Sequence, residues 1–578
     1  MDQQRQSFMS KRIWWLVGIV VGLPLAWVLY QIFAPNEQIE ISPETTVLTE
    51  PLRADGLPDY AQYFYELGHE GVTPENNGAV EFWQAMWPGD LAVEDWHPLC
   101  DALGMKAVPK EGSGLESPYT QENRAKIAAK LTELYQQTLE GSAGEDLLTQ
   151  QNQTFIKDTL AHDAIGLAME RPWKSAQLPA LAEWLERNSR QLDLLVAATE
   201  KPKFWSPLPS MIHDRDEGLI ALLLPNVQSM RMATRVLNIR AMWHLGMGDN
   251  QAAWTDLKAC YRLAQFTSAG PTLVEQLVAI AMEGIANQQT VTLLDSGHVD
   301  AKLASRILGD LTAMGPACDI ANSVDTGERL LFVDTVLRLA TGRDSMAGLT
   351  GGGGAPNFDP VPLMHIKWNY VLREGNLWYD RLVAAARLPT RDEKDKAIKN
   401  LDFELRQMAN AQKNPYRLLS GLVSRQARSE IFAEVMASLF LPALRAAYEA
   451  EVRAEAVWEL TRLAAALAVY RAERGEYPEQ LTALVPGILP EVPLDLYVGE
   501  PFRYERKPDG GYLLYSVYRD GKDDGGTSMD EEIVAGEWMA DKAEIDSGTR
   551  DIVFRVPVPE FKLPELPVEE DLLTPPGE

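Results

Sequence analysis

Cysteine is scarce: Cys100, Cys260 and Cys318 are all that 578 residues contain. Three is an odd number and no CxxC spacing occurs, so the sequence offers neither a disulfide framework nor a thiolate zinc site. Each cysteine reads as a small buried apolar side chain. Positive charge is also short, with 54 Lys and Arg against 83 Asp and Glu and a net charge of -29. Wrapping a phosphate backbone requires Lys and Arg to neutralise it, so nucleic acid is excluded as a partner. The acidic balance suits a soluble surface and divalent cations.

Catalytic signatures are missing too. The seven histidines, His69, His97, His162, His213, His244, His298 and His365, form no HExxH or closely spaced ligand pair. No Gly-x-Ser-x-Gly elbow or Gly-x-Gly-x-x-Gly turn occurs. Gly351 to Gly354 is followed by Ala355-Pro356, where a phosphate loop needs Gly-Lys-Ser/Thr, so it reads as a surface loop. His162-Asp163 are adjacent and point apart on a helix. His213, with Asp214 and Asp216, reads as a salt-bridged polar turn. Those three are the best residues for an enzymatic alternative.

One long apolar run is present. Ile13 to Ala34 carries no charge and reaches roughly 33 Å at about 1.5 Å per residue, enough to cross a bilayer. Trp14 and Trp15 at one end, with Trp27 and Tyr30 towards the other, match interfacial anchors. Arg5, Lys11 and Arg12 precede the run and Glu37, Glu40 and Glu44 follow it. The positive-inside rule then keeps residues 1–12 in the cytoplasm and puts the bulk outside. The expected localisation is a bacterial inner membrane, single-pass, with an uncleaved anchor over 13–34. Residues 35–58, polar, acidic and holding Pro43, Pro51 and Pro58, read as a linker lifting the body off the membrane.

The fold class expected is mainly α, with a multi-helix body over 59–450 and a small α+β unit over 451–556. Met230 to Phe266 reads as a hairpin resembling a tetratricopeptide pair, with Asp249 as the N-cap of its second helix. Further helices are expected at 121–139, 178–199, 273–294, 302–313, 325–339, 366–386 and 392–411. Ser429 should cap a helix starting at Glu430, and Gly475 should end the long helix from Ala443. Trp173, Trp184, Trp205, Trp243 and Trp254 fall at helical spacings that suit a core. The tail over 557–578 has six prolines, Pro557, Pro559, Pro564, Pro567, Pro575 and Pro576, and reads as disordered.

The C-terminal unit has the most specific order of elements. A helix ends LAVYRAERGEYP (Leu467–Pro478), Leu489-Pro490 and Pro493-Leu494-Asp495 follow, and a strand at Phe502–Arg506 turns at Asp509-Gly510-Gly511 into Tyr512–Tyr518. An acidic loop, Asp520 to Gly526, leads on to a last strand from Asp551 to Val556. This set, from about Glu455 to Val556, resembles the globular domain of the major pseudopilin of type II secretion systems. The resemblance implies a calcium ion in the C-terminal loop, with Asp520, Asp523, Asp524 and Asp551 as its ligands. A hard cation taking six to eight oxygens suits such carboxylates. The N-terminus, MDQQRQSFMSKRIWW, has no prepilin Gly-Phe site and no Glu, so assembly into a pseudopilus does not carry over.

These features define a non-enzymatic, membrane-anchored extracytoplasmic scaffold with protein partners in the envelope and a calcium-steadied C-terminal domain. The alternatives are an extracytoplasmic hydrolase or ligand-binding enzyme with its site in the helical body, and a component beside a type II-like secretion machinery.

Overall fold

The computed structural model describes residues 37–138, 153–207, 225–345, 366–527 and 551–564, apart from single positions 90, 111, 298, 413 and 442. It also describes Gly218, Leu219 and, near the N-terminus, Gly22, Leu23, Ala26, Trp27, Tyr30 and Gln31. The glycine run at 351–354, His213, Asp214, Asp216 and most of 13–34 lie outside these residues.

The described chain is mainly helical. Its helices are α1 (Tyr60–His69), α2 (Ala79–Met86), α3 (Trp96–Ala102), α4 (Gln121–Thr138), α5 (Gln153–Glu170), α6 (Pro179–Arg187), α7 (Ser189–Thr199), α8 (Pro225–Gly246) and α9 (Asn250–Ser268). They continue as α10 (Leu273–Asp295), α11 (Ala301–Met314), α12 (Ile320–Ser323), α13 (Arg329–Thr341), α14 (Trp368–Ala386), α15 (Arg391–Ala411), α16 (Pro415–Val423), α17 (Arg425–Phe440) and α18 (Ala443–Arg474). Strands β1 (Arg503–Arg506), β2 (Tyr512–Ser516) and β3 (Ile552–Val556) form one antiparallel sheet in that order. Arg506 pairs with Tyr512 across the first turn, and Tyr512 with Val556 on the other side.

Local chemistry sets many of the helix ends. Asp249 caps α9 by accepting from Ala252 N at 2.9 Å. Thr272 and Glu275 form a reciprocal capping box at α10. Gly475 takes φ 83° and stops α18. Asp249→Ala should lower stability by about 1 kcal/mol, read as a lower urea midpoint at unchanged slope.

Three expected helices differ in detail, each because a distant partner intervenes. The helix expected over 178–199 breaks at Asn188, whose amide donates to Trp184 O while its oxygen accepts from Glu116 N. The helix expected over 325–339 starts as a π turn, Val324–Glu328, with Glu328 accepting from Leu273 N. Ser429 sits inside α17, accepting from Lys367 N, and Ser424 is the cap that starts the helix a turn earlier.

Two cores organise the body. In the first, α8, α9 and α10 stack in turn, α10 and α11 pack on α18, and β2 packs on α18. The buried tryptophans Trp173, Trp184 and Trp254 belong here, with Trp205 at the margin and Trp243 partly buried. The second core gathers α1, α12 to α15 and α17 with the start of α18, through Ala447, Tyr448 and Val452. The rest of α18, from Ala456 to Val469, belongs to the first core together with β2 and β3. The cores therefore do not divide at residue 450, and the C-terminal sheet shares its core with the helical hairpins. By length and composition the run Arg425–Arg474 could cross a membrane. Its apolar residues, Met436 and Leu460 among them, instead fill these two cores.

Both ends of the described body are fastened to it. Residues 37–45, part of the segment expected to lift the body away, lie along α14. Asn369 exchanges bonds with Glu40 N and Gln38 O, and Asn376 donates to Glu44 O and Thr45 O. Arg373 pairs with Glu40, and Thr45 and Thr46 are fully buried. The acidic and polar composition that suggests a free linker here meets a matching donor face. The first part of the expected disordered tail is also docked. Val558 N donates to Asp295 at 2.6 Å, and Val558, Phe561 and Leu563 pack on the first core. Residues 565–578 lie outside the described chain.

Candidate functional site

The acidic loop after β2 is built on a buried carboxylate. Asp495 is 1% exposed; one of its oxygens accepts from Tyr497 N and the other from Val517 N, each at 3.0 Å. It thereby pins the residues before β1 to the end of β2, where the loop departs. The Pro493-Leu494-Asp495 element is visible in the sequence, but its role as a staple is not.

Within the loop the four expected ligands occupy different environments. Asp523 Oδ1 accepts from Tyr515 Oη at 2.9 Å and Gly525 N at 3.0 Å, and its Oδ2 lies 3.4 Å from Arg503 Nε. Asp551 is 4% exposed; its Oδ2 accepts from Gly526 N at 2.8 Å and its Oδ1 has no hydrogen-bond partner. Burial pushes the Asp551 carboxyl up, with Asp524 and Asp523 adding repulsion against the Gly526 bond. Asp520 stands apart. Its Oδ1 accepts from Lys522 N, and its buried Oδ2 has no hydrogen-bond partner, with Lys522 Nζ 3.9 Å away.

The loop thus brings Asp523, Asp524 and Asp551 into one electrostatic neighbourhood and keeps Asp520 on its own turn. Among the described residues no three His, Cys, Asp or Glu side chains converge as a ready cation cage. Two of the expected ligands each keep one oxygen free of donors, on separate parts of the loop. These oxygens, Asp551 Oδ1 and Asp520 Oδ2, are buried, and such atoms are costly to bury unpaired. Asp523 is the poorest candidate, since Tyr515, Gly525 and Arg503 already engage it.

Of the described histidines, His97 is exposed and the other three lie beside aromatic rings. His69 stacks against Tyr65 and meets the Trp205 ring edge-on. His162 lies beside Tyr119, its ring centroid 6.1 Å away, and burial raises the neighbouring Asp163 carboxyl. His244 comes closest to a carboxylate constellation, with Nε2 3.8 Å from Asp256 Oδ2. That separation is too long for a hydrogen bond. Both Asp256 oxygens are taken by Arg240, at 3.0 and 2.7 Å, and Arg240 also reaches Asp193 at 2.7 Å. Burial holds the His244 imidazole below its ordinary range and so neutral at pH 7. The cluster ties α7, α8 and α9 together.

A second polar system escapes sequence reasoning. Residues 317–320 enter α12, and three of their backbone N–H groups are captured by side chains of α10 and α18. Ala317 N donates to Glu283, Asp319 N to Gln276 and Ile320 N to Glu451. Glu283 and Gln276 lie on α10 and Glu451 on α18, so the clamp sits where the two cores meet. An apolar cavity of about 30 Å³ lies nearby, lined by Ile320, Val324, Leu401 and Tyr448, with Arg445 and Asp402 paired on its wall. That is room for about one water.

The chain matches no protein-family model, no curated protein and no solved structure.

Proposed function

We propose that this protein is a membrane-anchored extracytoplasmic scaffold whose helical body engages envelope proteins and whose C-terminal loop is steadied by calcium. The observation that carries the reading is how the N-terminal segment meets the body. Leu23, Trp27 and Tyr30 are 65, 54 and 65% exposed, whereas Gln31 accepts from Arg425 N at 3.1 Å and Glu40 is fastened to α14. Large apolar side chains presented outward, immediately before a tightly docked polar segment, suit a helix in lipid leading into a body outside it. The stacked α8–α9–α10 layers give the body the rigidity a scaffold needs. The long α18 packed on an antiparallel sheet supports the pseudopilin-like reading of the C-terminus. Protease added to spheroplasts should digest the bulk and leave a membrane-embedded N-terminal fragment. Full protection of the bulk would overturn the topology, and substrate-dependent turnover without any protein partner would overturn the scaffold role.

The calcium part has its own test on the full chain, because the C-terminal sheet shares its core with the helices. Calcium at about a hundred times its dissociation constant should add ~2.7 kcal/mol to unfolding. Asp551→Asn should remove most of that gain, and Asp523→Asn should remove the least. A thermal transition indifferent to calcium would reject the ion.

A further inference from the structure

We propose that α16 is a second membrane contact, lying flat on an anionic lipid bilayer beside the point where the N-terminal anchor leaves it. The proposal rests on the anchored reading and goes beyond it, because it sets how the body stands on the membrane. Helix α16 presents Tyr416, Leu419 and Val423 outward, 80, 59 and 46% exposed. Positions i, i+3 and i+7 share one face of a helix. The opposite side is committed to α17. Gly421 is buried, and a methyl group there would lie 3.0 Å from Ile431 Cδ1. Arg428 Nε donates to Gly421 O at 3.0 Å, and Arg417 pairs with Glu434. The apolar face is therefore held outward by packing, with no partner of its own among the described residues.

Two observations identify the occupant as lipid. The first is continuity: Arg425, whose N–H binds Gln31, is two residues beyond the end of α16. The exit of the anchor and the end of this amphipathic helix are thus at the same level. The second is charge. On a chain of net charge -29, residues 405–429 carry Arg406, Lys413, Arg417, Arg425 and Arg428 and no Asp or Glu. In the fold Arg406 pairs with Asp402 at 3.0 Å and Arg417 with Glu434, which leaves Arg425, beside Gln31, as the basic group at the anchor's exit. A short helix with Leu and Val outward, Tyr at its start and basic residues around it suits an interfacial position against anionic headgroups. With residues 37–45 bound along α14, the body would rest on the bilayer instead of hanging from a tether.

The test places a photo-crosslinking benzophenone amino acid at position 419, and separately at position 27, in the full-length protein. Membranes containing the protein are irradiated and the adducts identified by mass. Lipid adducts at both positions are the expected result. In nanodiscs the yield at 419 should be about fivefold higher with phosphatidylglycerol than with phosphatidylcholine alone. A lipid adduct at 27 with none at 419 overturns this inference and leaves the anchor standing; no lipid adduct at 27 overturns the anchor itself. A homodimer or a heterologous protein adduct at 419 shows a protein docking face and rejects lipid as the occupant. Equal yields in the two lipids reject the anionic preference.

Discussion

Replacing Asp256 with Ala is expected to cost ~3–5 kcal/mol. Arg240 and Asp256 are both buried and share two parallel bonds between α8 and α9, with Asp193 of α7 on the guanidinium's other side. The truncation leaves a desolvated guanidinium with one exposed partner, and that uncompensated charge is the source of the loss. Asp256→Asn keeps an acceptor and should cost less. The double variant Arg240→Met with Asp256→Leu removes both charges and should recover most of the stability, since a well-packed apolar pair replaces a buried ion pair at little cost. Urea unfolding of the three variants decides the matter. An Asp256→Ala midpoint within error of the parent would show that Asp193 alone satisfies Arg240.

Stability should also fall as pH rises from about 4.5 to 8. Burial pushes the Glu283 carboxyl from 4.5 to about 8, and Glu275 and Glu451 to about 7. A folded glutamate that keeps its proton while the unfolded one has released it means the native state binds more protons, so stability declines across that window. For Glu283, which is 2% exposed, the decline is on the order of 4 kcal/mol. Its surroundings reinforce the direction. Glu451 meets Glu455 and Asp319, with only Lys394 opposing them from α15, and Cys318 lies among Glu451, Glu283, Asp319 and Glu455. Glu283→Gln retains an acceptor for Ala317 N and removes the titration. It should match the parent at pH 4.5 and exceed it at pH 8 in thermal unfolding. Superimposable pH profiles for the two proteins would show that Glu283 ionises normally.

Features that depend on neighbours in the chain are legible in the sequence. The Asp249 cap, the Gly475 stop and the hairpin around Asp509-Gly510 all follow from residues a few positions apart, as do most of the helix spans. What the sequence hides depends on partners far along it. Nothing near Asn188 announces Glu116, and nothing near Glu40 announces Asn369 and Arg373 on α14. A polar, proline-bearing stretch looks like a spacer until its complementary face is known. The candidate loop shows the same division. Three aspartates within five positions are conspicuous, whereas Asp551 closing on Gly526 N, and Asp495 stapling the loop's base, require the folded sheet. The clamp around residues 317–320 was invisible because isolated glutamates on amphipathic helices read as solvent-facing.

Helix α18 carries a mechanical corollary. A single unbroken rod begins among the helices of the second core and ends beneath the sheet that bears the acidic loop. Any tug on that sheet is therefore handed along a stiff lever to the second core, and severing the rod near residue 450 would strip both halves of part of their interior.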